Sequence, residues 1–343
     1  KPSLPVLANI KLVSTKTSLQ LFATNLENSI ILKLSASGEA FETTIPAKLL
    51  VEFLNLLTDK ETRISFEKET IELNSGSAKG NFSTIASSEF PNINEEKTRG
   101  VELFQKDLFV AIQKIAVAAS SDEGKPVLNG ILLRNKDNKT TLVATDSYRL
   151  ATYELKESYP LEETIVPARA FSEALKIAGE LSEEVVSLSS SPENNQLVVS
   201  GQNFQILTRL IDGVYPNFEQ IIPQEFICEV VTERSELVVA VKQAAVFARD
   251  AGNVVRLLAS KKEGLKISAS TKQVGEGSSQ VDATIEGEEL EVAINSRFLL
   301  DGLEAVTSDK VALKLSGSLR PAKIVSPESE ELTYIVMPVK PQN

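Results

Sequence analysis

The side chains that carry most enzyme chemistry are nearly missing from this 343-residue chain: it has no histidine and one cysteine, Cys228. Without imidazole there is no Ser-His-Asp triad, no Cys-His pair and no histidine metal ligand. A lone thiol builds neither a disulfide framework nor a thiolate zinc site within one chain. Carboxylates such as Asp146, Asp212 and Asp250 remain, and paired carboxylates bind magnesium or act as acid and base. Their spacing matches no site pattern, there is no P-loop, and Gly275-Glu276-Gly277 does not continue into a dinucleotide fingerprint. The chain reads as non-catalytic, with no cofactor and no metal. Its chemistry lies in cations instead. Lys48, Arg169 and Arg297 each fall in the first turn of a predicted helix, where a positive charge opposes the helix dipole at a cost of ~0.3–1 kcal/mol. Three such choices at matching positions point to a negatively charged partner.

The positions match because the chain repeats itself. Leu4-Pro5-Val6-Leu7-Ala8-Asn9 returns as Lys125-Pro126-Val127-Leu128-Asn129-Gly130 and weakly as Asn253-Val254-Val255-Arg256-Leu257. Ile45-Pro46-Ala47-Lys48 is matched by Val166-Pro167-Ala168-Arg169 and Ile294-Asn295-Ser296-Arg297, and Glu89-Phe90-Pro91-Asn92 by Val214-Tyr215-Pro216-Asn217. Spacings this long mark whole domains, so three related domains are expected over 1–98, 99–224 and 225–343, with linkers around 94–100 and 223–226. The first repeat opens without the strand and helix that precede Lys125-Pro126 in the second, so the sequence reads as a fragment.

Within a repeat the order is helix, strands, helix, strands. Leu108, Ile112, Ile115, Ala116 and Ala119 share one face of a helix over 107–119, and Leu237, Val238, Val241, Ala245 and Ala248 one face over 235–249, leaving Lys242 and Arg249 on a polar side. Second helices are expected over 47–57, 168–179 and 296–306, entered through proline, whose missing amide costs nothing in a first helical turn. Residues 141–155 read as a hairpin turning at Asp146-Ser147. The fold class is α+β, with antiparallel sheets on one side of the helices.

Composition sets the outer limits. Apolar residues make up 42% and charged residues 24%, which describes a globular chain. No run of 18 apolar residues exists to span a membrane, and the start lacks a signal-peptide layout. The asparagines of Asn138-Lys139-Thr140 and Asn81-Phe82-Ser83 match the glycosylation pattern by accident in such a chain. Net charge is −11, from 36 Lys and Arg against 47 Asp and Glu. Bulk nucleic acid is repelled by such a surface, but a basic lining inside an acidic shell is not excluded. If every domain turned two helices inward, two complete chains would give twelve. Packed at ~9 Å between axes, they would leave a hole of ~23 Å, about one duplex wide, whereas six helices would leave only ~6 Å.

Leu4-Pro5-Val6-Leu7, the run Val143 through Leu150, Leu210 through Phe218 and the terminal Tyr334-Ile335-Val336-Met337-Pro338-Val339-Lys340 closely resemble the bacterial DNA polymerase III β subunit, the β sliding clamps. The match spans the chain in order. The resemblance implies a DNA-clamp fold of three topologically similar domains and a head-to-tail homodimeric ring, helices lining a central hole and sheets outside. It implies a processivity factor in the bacterial cytoplasm that encircles double-stranded DNA without regard to sequence. Its implied partners are the polymerase III catalytic subunit, the clamp loader and other proteins carrying a clamp-binding motif. The family's DNA-facing positions fall on Lys1, Lys48 and Arg169, with Lys125 in place of an arginine, and the matching repeat position adds Arg297. The partner-peptide pocket, which takes leucine and phenylalanine anchors, falls on Leu128, Thr145, Ser147, Tyr148, Arg149, Leu150, Pro216, Ile221, Val336, Met337, Pro338 and Val339; the charge of Arg149 suits a peptide's polar or acidic end. A Met- and Pro-walled groove suits many anchors, since Met adapts its shape. Phe82 and Val281 are candidates for the dimer surface. Ser147-Tyr148 stands where a glycine-histidine pair is common, Gln220 and Lys340 replace arginines, and Pro341-Gln342-Asn343 extends past the usual end. A competing reading is a monomeric scaffold of triplicated peptide-binding domains.

Overall fold

Residues 4–97, 100–191, 194–249, 252–271 and 275–340 are described by a computed structural model. The chain forms two compact units, Lys1–Gln105 with Ala174–Leu210, and Lys106–Glu173 with Ile211–Asn343. These units do not follow the repeat limits, because hydrogen-bonded sheets continue from one repeat into the next and the middle repeat lends strands to both.

In the first unit an eight-stranded antiparallel sheet runs in the order Phe41–Pro46, Asn9–Ser14, Ser18–Thr24, Asn28–Ser35, Phe204–Arg209, Gln196–Ser200, Val185–Ser191, Val101–Phe104. The seam between repeats is the pairing of Asn28–Ser35 with Phe204–Arg209, in which Ile30 faces Ile206 and Leu32 faces Phe204. Ile31, Val198 and Leu207 bury a small cluster beside it, packed by Phe22 and Ile93. A three-stranded sheet of Arg63–Glu67, Thr70–Ser75 and Ala78–Ser83 completes the unit. Its middle strand alternates, burying Ile71, Leu73 and Ser75, and this period of two gives it one core face. Helix α1 (Ala47–Leu54) sets Leu50 into the same core as Leu12, Leu19, Ile45 and Phe82.

The second unit holds a nine-stranded sheet in the order Thr164–Pro167, Gly130–Lys136, Lys139–Thr145, Arg149–Glu154, Leu332–Val336, Ala322–Val325, Lys310–Leu315, Cys228–Glu233, Ala283–Gly287. Here too a seam joins two repeats, Arg149–Glu154 against Leu332–Val336. A four-stranded sheet follows the order Gly275–Val281, Gly264–Thr271, Val254–Ser260, Leu290–Asn295.

The other helices are α2 (Gln105–Ile115), α3 (Ala168–Glu180), α4 (Arg234–Ala248) and α5 (Ser296–Ala305). Among the described residues the first repeat thus has one α-helix and the others two each. In α4 the buried residues are Leu237, Ala240, Val241, Ala244 and Ala248, so Val238 and Ala245 sit at the margin of the expected face. Helix α1 stops at Leu54, short of the expected residue 57, and α2 gives way to a 3-10 turn over Ala116–Ala118.

One junction recurs in every repeat. A strand pairs its last residue with the start of the repeat's first meander strand and passes directly into a helix: Pro46 opposite Asn9, Pro167 opposite Gly130, Asn295 opposite Val254. Both prolines end outer strands one residue before the helix, in keeping with the expected helix starts at Ala47 and Ala168. A missing amide is tolerated at a sheet edge for the same reason.

Candidate functional site

The hairpin of Lys139–Thr145 and Arg149–Glu154 is closed by a turn that the sequence writes locally. Asp146 Oδ1 accepts from the amides of Tyr148 (2.8 Å) and Arg149 (2.9 Å). Thr145 Oγ1 donates to the Arg149 carbonyl at 2.6 Å and accepts from the Ser147 amide at 3.2 Å. Ser147 takes φ 82°, the left-handed conformation, which this side-chain bonding supports. The turn therefore holds Tyr148 outward, 60% exposed, with its ring stacked on Phe298 of α5 at 6.4 Å between centroids.

Behind Tyr148 the guanidinium of Arg149 is a hub. Nε lies 3.0 Å from Asp146 Oδ2, and Nη1 donates to Asp301 of α5 and, at 3.3 Å, to the Tyr334 hydroxyl. The group also lies over the Phe298 ring, 4.5 Å from its centroid. Burial works against its charge, but Tyr334, Asp301 and Asp146 outweigh burial and hold its pKa above the ordinary value. Burial likewise raises the Tyr334 and Tyr215 phenols. With 12% of its side chain exposed, Arg149 is engaged by these partners within the protein.

The strand seam brings the C-terminal segment to this turn. Arg149 faces Val336 and Leu150 faces Ile335, and the Met337 amide donates to the Tyr148 carbonyl at 2.9 Å. The Val339 amide donates to the Ala293 carbonyl at 2.7 Å, so the tail is tied at both ends. Leu150 and Ile335 belong to a cluster with Leu132, Val143, Ile165, Tyr215 and Phe218. Pro216 and Ile221, both exposed, flank that cluster's Tyr215 and Phe218. The expected pocket residues therefore sort into two layers of one patch. Leu128, Thr145, Leu150 and Val336 are buried, while Ser147, Tyr148, Pro216 and Ile221 are exposed and Met337, Pro338 and Val339 half-buried. Phe298, Asp301 and Tyr334 were missed by the sequence reading, and the single usable signal was the three-residue spacing of Phe298 and Asp301 on one helix face.

Of the expected basic positions, Lys48, Arg169 and Arg297 are each the second residue of α1, α3 and α5, and all three are exposed. None of those helices has an acidic residue in its first turn, whereas α2 has Asp107 and α4 has Glu236. The contrast isolates a positive charge at three equivalent helix starts. Lys48 meets Glu52, at 3.9 Å, with 88% of its side chain exposed. Lys125 stands elsewhere, before the 3-10 turn Pro126–Asn129, with Nζ 6.0 Å over the Tyr148 ring. Lys1 lies outside the described residues.

Phe82 and Val281, the candidates for the dimer surface, are both buried within this chain. Phe82 is 8% exposed and packs edge-on against Phe53, and Val281 is 4% exposed; both point into their own cores. The strands that carry them, Ala78–Ser83 and Gly275–Val281, are nevertheless outermost in their sheets. Of the carboxylates weighed for catalysis, Asp146 is bound up in its turn, and Asp250 lies outside the described residues.

Comparison with known proteins bears on the whole chain. Three family models match in succession, described as the N-terminal, central and C-terminal domains of the DNA polymerase III beta subunit, over residues 1–94, 102–217 and 219–340. A beta sliding clamp of Synechococcus elongatus is 29% identical, covering 99% of this chain and 93% of the relative. That of Staphylococcus epidermidis is 26% identical with the same coverage. Among solved structures, the DNA polymerase III subunit beta of Pseudomonas aeruginosa superposes with a TM-score of 0.92 at 26% identity, covering 99% of this chain and 94% of that one. A Pseudomonas aeruginosa clamp solved bound to griselimycin gives the same TM-score and identity, covering 99% and 93%.

Proposed function

The chain belongs to the DNA polymerase III beta subunit family, the sliding clamps, and from that premise we propose that two copies join head to tail into a ring around duplex DNA. The family supplies a non-catalytic processivity subunit to DNA polymerase III. The ring reading rests on one pairing rule. The third meander strand of repeat one, Asn28–Ser35, pairs with the last strand of repeat two, Phe204–Arg209, and the third meander strand of repeat two, Arg149–Glu154, with the last strand of repeat three, Leu332–Val336. Continued once more, the rule pairs Gly275–Val281 of repeat three with the last strand of repeat one, Ala78–Ser83. Both are outer strands with an unpaired edge. A second copy supplies the missing partner at each end, and two such heterologous contacts close a dimer.

In this reading the cations at the starts of α1, α3 and α5, together with Lys125 and Lys1, face phosphates. Encirclement holds the DNA, so the contacts stay few, loose and blind to sequence. The patch around Tyr148, Met337, Pro338, Pro216 and Ile221 docks the polymerase catalytic subunit, the clamp loader and other proteins offering a short apolar peptide, at the replisome in the bacterial cytoplasm. Two measurements test the arrangement. The mass in solution is twice that of the chain, and a monomer favours the triplicated scaffold. Removing residues 337–343 leaves the dimer intact and abolishes capture of polymerase; capture by the truncated dimer refutes the docking patch.

A further inference from the structure

We propose that Asp301 is a positioning residue for the docking patch, acting through Arg149; the proposal rests on that patch being where partner peptides bind. Asp301 stands on α5 three residues after Phe298, so the two side chains share a helix face. Asp301 takes Nη1 of Arg149, and the Phe298 ring lies against both the same guanidinium and the Tyr148 ring. Arg149 in turn fixes the hairpin turn through Asp146, and the carbonyl of Tyr148 within that turn receives the Met337 amide. One line of contacts thus runs from α5 through the turn to the exposed aromatic and the methionine of the patch.

A guanidinium that is 12% exposed and meets two carboxylates, a hydroxyl and an aromatic face has little capacity left for a ligand. Its planar fork suits this work, since each donor is aimed by the same rigid plane. Taking Asp301 away leaves a buried cation short of a partner, and the cheapest relief is to swing Arg149 outward and loosen the turn. Asp301, itself 35% exposed, reaches the hairpin turn through its bond to Arg149, so its effect on binding passes through Arg149.

The positioning role and a ligand-holding role for Arg149 predict opposite results. The probe is a synthetic peptide with leucine and phenylalanine anchors, made with acidic or with amide flanking residues, titrated against the full chain. Asp301→Ala weakens both peptides alike, about tenfold, the scale of one charged hydrogen bond. Asp301→Asn, which keeps an oxygen to accept from Nη1, restores most of the affinity. In Asp301→Ala the Met337 amide exchanges its hydrogen faster while core amides do not, a local opening that general destabilisation would not single out. An unchanged affinity, or a gain confined to the acidic peptide because Arg149 has been freed for it, overturns the proposal. Tyr148→Ala and Met337→Ala separate the two levels. If they abolish binding and Asp301→Ala leaves the affinity unchanged, Asp301 alone is refuted; if they too bind normally, the patch reading fails and the proposal falls with it.

Discussion

Gly302 shows how closely single residues are set beneath the patch around Tyr148. A Cβ at this position of α5 would lie 2.6 Å from Tyr334 Cδ1 and 3.0 Å from Ile324 Cδ1, and Tyr334 is fully buried under the Arg149 hub. Gly302→Ala therefore lowers stability by up to about 2 kcal/mol, read as a lower denaturant midpoint, because an overpacking cost of ~1–3 kcal/mol is offset by only ~1 kcal/mol gained in helix propensity. Arg169→Ala tests a different residue-level claim. If its guanidinium neutralises a phosphate, DNA retention weakens mildly at low salt and the log–log salt slope falls by ~0.9, with no change in sequence preference. The pair Lys11–Glu42, 2.8 Å apart across neighbouring strands, carries a pH signature. The hydrogen bond from Lys11 holds the Glu42 carboxyl below its ordinary 4.5 despite partial burial. A depressed carboxylate contributes stability above its unfolded value and loses it as pH falls through the folded one. Lys11→Met should accordingly flatten the loss of stability below about pH 4.5 in urea titrations across that range.

Elements explain why some of this was legible in the sequence and some was not. The strand-to-helix junctions could be read because each writes a local signal, Pro-Ala or Asn-Ser after an apolar run, and the structure starts α1, α3 and α5 at Ala47, Ala168 and Ser296 as expected. Their ends were less clear. Leu56 and Leu57 extend an apolar pattern beyond α1, yet Leu56 is 81% exposed, so nothing packs there to reward another helical turn. The layout of the patch around Tyr148 was hidden for another reason. Asp146 and Arg149 are three apart, but Phe298, Asp301, Tyr334 and Met337 arrive through the pairing of Arg149–Glu154 with a distant strand, and which strands pair is not a local property. The free edges make their own prediction. Alternate residues of an antiparallel strand point their amides to opposite sides. Of Ser278→Pro and Ser279→Pro, the one whose amide faces away from Gly264–Thr271 should turn the dimer into a folded monomer in light scattering. A dimer surviving both substitutions would contradict edge pairing.

For the whole molecule, an excess of acid with cations gathered at three helix starts makes sense only if holding DNA and binding DNA are different things. A net charge of −11 disfavours side-on adhesion to a polyanion, while a closed ring needs no affinity to stay threaded. The most direct test loads the clamp onto nicked circular duplex with the cognate loader, passes the complex through a sizing column in moderate salt, and repeats the run after one double-strand cut. The account predicts that the protein travels with the circle and leaves within the run once the DNA has ends. Equal retention on circular and linear DNA, or none on either, would contradict it.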